Sequence, residues 1–205
     1  MRRLLFVIAL IGALWAQDEV SIPDSTLGGN EDILFKPGDM APSWALMYAP
    51  GKFEFLRNWT VEKDGRLRKF NSQPDRHVVV MSFFATWCEP CKKELPILQK
   101  LYEKYSEEKI RFFLVDITEA TRSNKGFENS PEAAPFLADM GISMPLLFDN
   151  RGVTKEKYGV ATLPRLFIID KYQTIQVAKK GFHEGEEEAF LNELSSKIEE
   201  LLAEE

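Results

Sequence analysis

Val78-Val79-Val80-Met81-Ser82-Phe83-Phe84-Ala85-Thr86-Trp87-Cys88-Glu89-Pro90-Cys91-Lys92-Lys93-Glu94-Leu95-Pro96 is the stretch that decides how this 205-residue chain folds. Its first seven residues are continuously apolar, β-branched and aromatic apart from one serine, the pattern of a strand buried on both faces of a sheet. From Cys91 to Ser106 the apolar positions Leu95, Leu98, Leu101, Tyr102 and Tyr105 recur at helical spacing. The two cysteines therefore fall at a strand-to-helix junction, and Pro96 is expected to kink the helix.

That placement has chemical consequences. A disulfide is exchanged by attack of a thiolate, which requires one cysteine of depressed pKa and a second within reach to release the mixed disulfide. At a helix N-terminus, unpaired backbone N–H groups and the helix dipole favour an anion. Cys88 stands at that cap and is the expected nucleophile. Cys91 follows about 300° round the helix, beside Cys88 but deeper, and is the expected resolving thiol. A bridge across two intervening residues closes too small a loop to remove much chain entropy, which argues against a purely structural disulfide. A zinc half-site is the other alternative for this spacing. The chain has two cysteines in all, and its two histidines, His77 and His183, sit in polar surroundings where surface positions are expected. No metal and no organic cofactor is therefore expected.

Working outward, Ile110 to Val115 reads as a second buried strand and Thr118 to Asn129 as a loop. Ser130-Pro131-Glu132 looks like a cap opening a helix that Gly141 closes. Pro145 to Phe148, Pro164 to Ile169 and Thr174 to Lys179 read as strands, with a short helical piece around Thr154 to Tyr158. Phe190, Leu191, Leu194, Ile198, Leu201 and Leu202 mark one face of a C-terminal helix. Before the core, Trp44 to Phe70 suggests short strands, with a hairpin at Asp64-Gly65. The order gives an α/β fold, a central mixed sheet with helices on both faces, an N-terminal β extension and an inserted helix before the Pro164 strand.

The N-terminal residues 1–16 read as a secretory signal: basic Met1-Arg2-Arg3, an apolar run from Leu4 to Trp15, then Ala16. Leu14 is not the small residue favoured before a cleavage point, so an uncleaved signal anchor is the alternative. With no cysteine near that point, lipoprotein processing is excluded. Residues 17–36 are acidic and contain Pro23 and Gly28-Gly29, as a solvated tether would. Residues 37–205 form the expected domain. A net charge of -6 and the lack of any basic run argue against nucleic acid as a partner, and against a membrane unless the signal stays as an anchor. An exported chain keeps its disulfides, which makes their redox state a functional variable.

The hexapeptide Trp87-Cys88-Glu89-Pro90-Cys91-Lys92 after a buried strand, with Pro96 five residues past the second cysteine, resembles the thioredoxin superfamily. Thr162-Leu163-Pro164-Arg165 before Leu166-Phe167-Ile168-Ile169 is similar to the superfamily's cis-proline segment, which implies a cis bond at Pro164 and a substrate-facing backbone at Leu163. Phe84 to Pro96, together with Pro37-Gly38-Asp39-Met40-Ala41-Pro42, is similar to the exported TlpA/ResA-type reductases that serve cytochrome c maturation and related pathways. Cytoplasmic thioredoxins carry a buried aspartate where Ser82 stands here. The resemblance implies that Glu94, one turn past Cys91, takes over its proton-accepting role, and that Trp87 and Pro90 form an apolar docking rim. Glu89 between the cysteines opposes thiolate formation and favours a reductant.

The resulting expectation is a thiol–disulfide oxidoreductase that reduces disulfides of exported proteins and is recharged by an upstream thiol reductase. A dithiol oxidase or disulfide isomerase is the alternative. A copper chaperone or redox-gated binding module on the same fold would be expected to show wider cysteine spacing and a nearby histidine, and a peroxidase a cysteine outside a Cys-x-x-Cys context.

Overall fold

The computed structural model describes residues 35–60 and 76–204. The expected signal, most of the expected tether and the hairpin at Asp64-Gly65 lie outside the described residues. Seven described strands make one sheet: β1 (Ala45–Ala49), β2 (Lys52–Phe55), β3 (Val78–Phe84), β4 (Ile110–Asp116), β5 (Leu146–Phe148), β6 (Arg165–Ile169) and β7 (Ile175–Lys180). Their spatial order is β2-β1-β5-β4-β3-β6-β7. The three central strands β5, β4 and β3 run parallel, and β6, β7, β1 and β2 extend the sheet in antiparallel fashion on either side. The mixed sheet and its helices are a thioredoxin-like α/β fold.

Every residue of β3 is buried, which explains its unbroken apolar composition. Successive side chains of a strand point to opposite faces, and β3 shows what covers each. Ser82 hydrogen-bonds to Glu94 on α1 (Glu89–Lys104). Phe83 instead meets the rings of Phe167 and Tyr158, the latter just after α4 (Val153–Lys157). Helices thus cover both faces. Leu95, Leu98 and Leu101 of α1 and Leu194, Ile198 and Leu201 of α5 (Glu187–Ala203) are buried. Phe35, inside the stretch expected as tether, already packs on Phe167 and Tyr158.

α1 runs unbroken through Pro96, whose exposed ring leaves the missing N–H on the solvent side. The helix expected from Ser130-Pro131 starts two residues later, as α3 (Ala133–Asp139), because Ser130 Oγ donates to the Phe127 carbonyl instead of capping. Gly141, at φ 70°, closes α3 as expected: Ile142 N–H reaches back to the Leu137 carbonyl and Gly141 N–H to Ala138. Thr118 to Asn129 is not all loop, since α2 (Thr118–Thr121) opens it. The hairpin between β1 and β2 turns at Pro50-Gly51, with Gly51 at φ 71°. His77 is not a surface residue. It is 6% exposed, its ring set edge-on to Trp59 and its backbone N–H donated to the Trp59 carbonyl. That burial comes from a distant aromatic rather than from its polar sequence neighbours. His183 is exposed.

Candidate active site

β3 ends at Phe84, and the chain turns through Ala85-Thr86-Trp87 before α1 begins at Glu89. Cys88 is the N-cap of α1, in extended backbone conformation, and its Sγ accepts the Cys91 N–H at 3.2 Å. The sulfur atom thus sits where the unpaired amides of the first helical turn converge, the position that favours a thiolate. Cys88 and Cys91 are joined in a disulfide with Cα atoms 5.3 Å apart. Cys88 is 3% exposed and Cys91 is 0%, so Cys91 is closed to solvent and Cys88 is nearly so.

Glu94 lies one turn beyond Cys91 and is 1% exposed. Its Oε2 accepts a hydrogen bond from Ser82 Oγ at 2.8 Å. Burial pushes the Glu94 carboxyl up to about 7, and the Ser82 hydroxyl works in the opposite direction by favouring the ionised form. A glutamate solvated beside Lys92 and Lys93 is therefore not what the fold contains. Lys92 and Lys93 point outward, to Glu89 and Glu184. The Glu89 carboxylate is thus already paired with Lys92, which offsets the negative charge expected to bear on Cys88. Glu89 and Pro90 are both exposed at the start of α1.

The turn before Cys88 is held from the side of the sheet and the insertion. Asp116, at the end of β4, is buried; its Oδ1 accepts from both the backbone N–H and the hydroxyl of Thr118. Burial raises its carboxyl above the ordinary range, and these bonds oppose the rise. Thr118 Oγ1 in turn accepts the Thr86 N–H at 3.0 Å, and Thr86 Oγ1 donates to the Pro131 carbonyl at 2.9 Å. One turn along α2, Thr121 Oγ1 accepts the Trp87 indole N–H at 2.9 Å. The half-buried indole is stacked on Phe127, 3.9 Å between centroids and 8° between planes. Asp116, Thr118, Thr121 and Phe127 escaped the sequence reading. The spacing Asp116-x-Thr118, an Asx-turn pattern directly after a strand, was the available signal.

The Leu163–Pro164 peptide bond is cis. In the register of β3 against β6, Phe83 faces Arg165, so the next pair along places Pro164 opposite Phe84, at the end of the sheet from which the Cys88 turn leaves. Leu163 is half-buried against the core, and Pro164 is buried with its carbonyl accepting the Gly181 N–H at 2.9 Å. Among the described residues no three His, Cys, Asp or Glu side chains gather as metal ligands do.

Residues 37–178 match the AhpC/TSA family, and this span is more than half of the chain. The chain belongs to the AhpC/TSA family. This family member is 27% identical to the thioredoxin-like protein YneN of Bacillus subtilis over 146 residues, 71% of this chain and 72% of YneN. It is 34% identical to the thiol-disulfide oxidoreductase ResA of Bacillus anthracis over 93 residues, 45% of this chain and 49% of ResA. The match thus spans about half the length of ResA. A solved structure described as the thiol:disulfide interchange protein DsbE from Chlorobium tepidum superposes with a TM-score of 0.60 at 24% identity, covering 80% of this chain and 99% of that one. That likeness establishes the fold. With its Cys-x-x-Cys disulfide at a helix N-terminus, this AhpC/TSA-family member is a thiol–disulfide oxidoreductase.

Proposed function

We propose that the chain reduces disulfides in exported partner proteins, in a pathway of the cytochrome c maturation type. The observation that carries this reading is the pairing of a helix-capping Cys88 with an almost fully buried carboxyl, Glu94, one turn past Cys91. In the reduced enzyme the Cys88 thiolate attacks one sulfur of a partner disulfide, forming a Cys88–partner mixed disulfide and expelling the other partner sulfur as a thiolate. Cys91 then gives its proton to the Glu94 carboxylate and attacks Cys88 Sγ. The enzyme disulfide forms, the second partner thiolate leaves, and two electrons have passed to the partner. An upstream dithiol reductase returns two electrons, and the proton held on Glu94 goes back to Cys91 as the pair is regenerated, so neither an organic cofactor nor a metal is needed.

Trp87, Pro90 and Leu163 supply the surface on which the partner docks. Pro90 is exposed, Trp87 half-exposed, and among the described residues no hydrogen bond occupies the Leu163 backbone, leaving it open to an extended partner segment. Pro164 keeps that segment beside the Cys88 turn. The basic and apolar residues 1–16 support export, as a cleaved signal or as an anchor. No described helix is long and apolar enough to cross a membrane.

Trapping tests the reading. With Cys91→Ser in the full chain, partner proteins should remain disulfide-linked to Cys88, and the wild type should reduce insulin-type disulfides. Failure of both removes the enzyme reading. Equilibration with glutathione decides the direction, since a potential near that of the strongest dithiol oxidants would make the protein an oxidase.

A further inference from the structure

The hydroxyl of Ser82 is the hydrogen-bond donor that meets the Glu94 carboxylate, at 2.8 Å, and it reaches across from β3 to α1 to do so. Ser82 is 1% exposed and lies in a strand whose other members are all apolar. Burying a hydroxyl there is costly unless it is bonded, and Glu94 is the bond that offsets the cost. Packing alone would be served by alanine at this position.

Resting on the reductase reading above, we infer that Ser82 is a positioning residue, whose hydroxyl orients the Glu94 carboxylate and steadies the ionised form that receives the Cys91 proton. Several charged groups on the surrounding elements are engaged elsewhere. On α1, Cys91 is in the disulfide, and Lys92 and Lys93 pair with Glu89 and Glu184. On β6 the Arg165 guanidinium lies over the Phe167 ring. On α5, Glu193 pairs with Lys179, Lys197 with Glu200 and Glu199 with Lys104, and Glu187 accepts the Gly185 N–H. His77 and Asp116 stand at opposite ends of the β3–β4 pair. The balance at Glu94 is therefore between burial, which favours the neutral acid, and Ser82, which favours the anion.

The test is a carboxyl-carbon NMR titration of the oxidised full chain as wild type, Ser82→Ala and Ser82→Thr, with the Glu94 signal assigned by its loss in Glu94→Gln. Ser82→Ala should raise the Glu94 midpoint by about one unit, the size expected for losing a hydrogen bond to a charged group. Ser82→Thr, which keeps the hydroxyl, should leave it near the wild-type value. The pH profile of disulfide reduction should move up by the same amount in Ser82→Ala and return in Ser82→Thr. An unchanged midpoint in Ser82→Ala overturns the inference. So does a moved midpoint with an unmoved rate profile. If threonine does not fit the strand, Ser82→Ala against wild type still decides. Should the wild type reduce no disulfides at all, the reductase reading fails, while the titration separately reports whether Ser82 acts on Glu94.

Discussion

Trp87 and Phe127 lie face to face, their centroids 3.9 Å apart and their planes within 8° of parallel. Stacking of two aromatic rings is favourable in itself, and a hydrogen bond adds support to it here. The Thr121 hydroxyl supplies it by accepting the indole N–H. The residue next to Cys88 thus has its ring plane fixed from the insertion, and the stacked pair forms one wall of the proposed docking rim.

Phe127→Ala should weaken docking without touching the sulfur chemistry. Aromatic pairs contribute about 0.5–1.5 kcal/mol beyond area burial, so KM for a protein disulfide should rise by roughly two- to tenfold. Reduction of a small, flexible disulfide should keep its rate. Steady-state kinetics on both substrates check this, and an equal loss on both would show that Phe127 supports the turn rather than the partner.

Glu94 makes the stability of the oxidised protein depend on pH. Its carboxyl is held at about 7 in the fold against an ordinary value of 4.5, so the native state binds the proton more tightly than the unfolded chain does. The associated stability is fully present below about pH 4.5 and is lost as pH rises through about 7, a total of about 3 kcal/mol. Glu94→Gln should flatten this segment and be the more stable protein at pH 8. Denaturant midpoints at pH 4.5, 6 and 8 provide the measurement.

Replacing Thr118 by valine removes the acceptor for the Thr86 N–H and the hydroxyl that donates to Asp116, while the Thr118 backbone N–H still reaches Asp116. The buried Thr86 N–H is left without a partner, at a cost of about 1–3 kcal/mol. Thermal unfolding should report the loss. Exchange should slow as well, because the displaced group lies two residues before Cys88. A variant as stable and as fast as wild type would show that the relay is dispensable.

Tyr158, packed on the sheet face opposite α1, gives a control. Its ring is buried among Phe35, Phe83 and Phe167, and its hydroxyl donates to the Pro42 carbonyl at 2.8 Å. Burial pushes that hydroxyl well above the ordinary tyrosine range. Tyr158→Phe should cost about 1 kcal/mol, seen in denaturant melts, and leave disulfide reduction unchanged. A loss of activity larger than the loss of stability would tie the approach segment to the site.

What could be read from the sequence was whatever is written locally. β3, α1, the cap position of Cys88 and the helical offset of Glu94 all follow from periodicity and spacing within one continuous stretch. The cis bond at Pro164 was anticipated through family resemblance, since an X-Pro bond gives no local sign of its isomer. The features that escaped depend on distant partners. A four-residue helix such as α2 shows no periodicity, so the threonines that grip Thr86 and Trp87 looked like loop. His77 looked exposed because its burial is provided by Trp59. The Glu89 charge looked free because its pairing with Lys92 depends on side-chain geometry.

The hydrogen-bond relay from Asp116 through Thr118 to Thr86, with Thr121 on Trp87, also bears on protein engineering. The hexapeptide Trp87–Lys92 is not a portable cassette. Grafted alone onto another scaffold of this architecture, it would arrive without the clamps that set its approach angle and would behave as a generic dithiol. The transferable module is discontinuous: the turn together with the stretch from Asp116 to Pro131, moved as one piece.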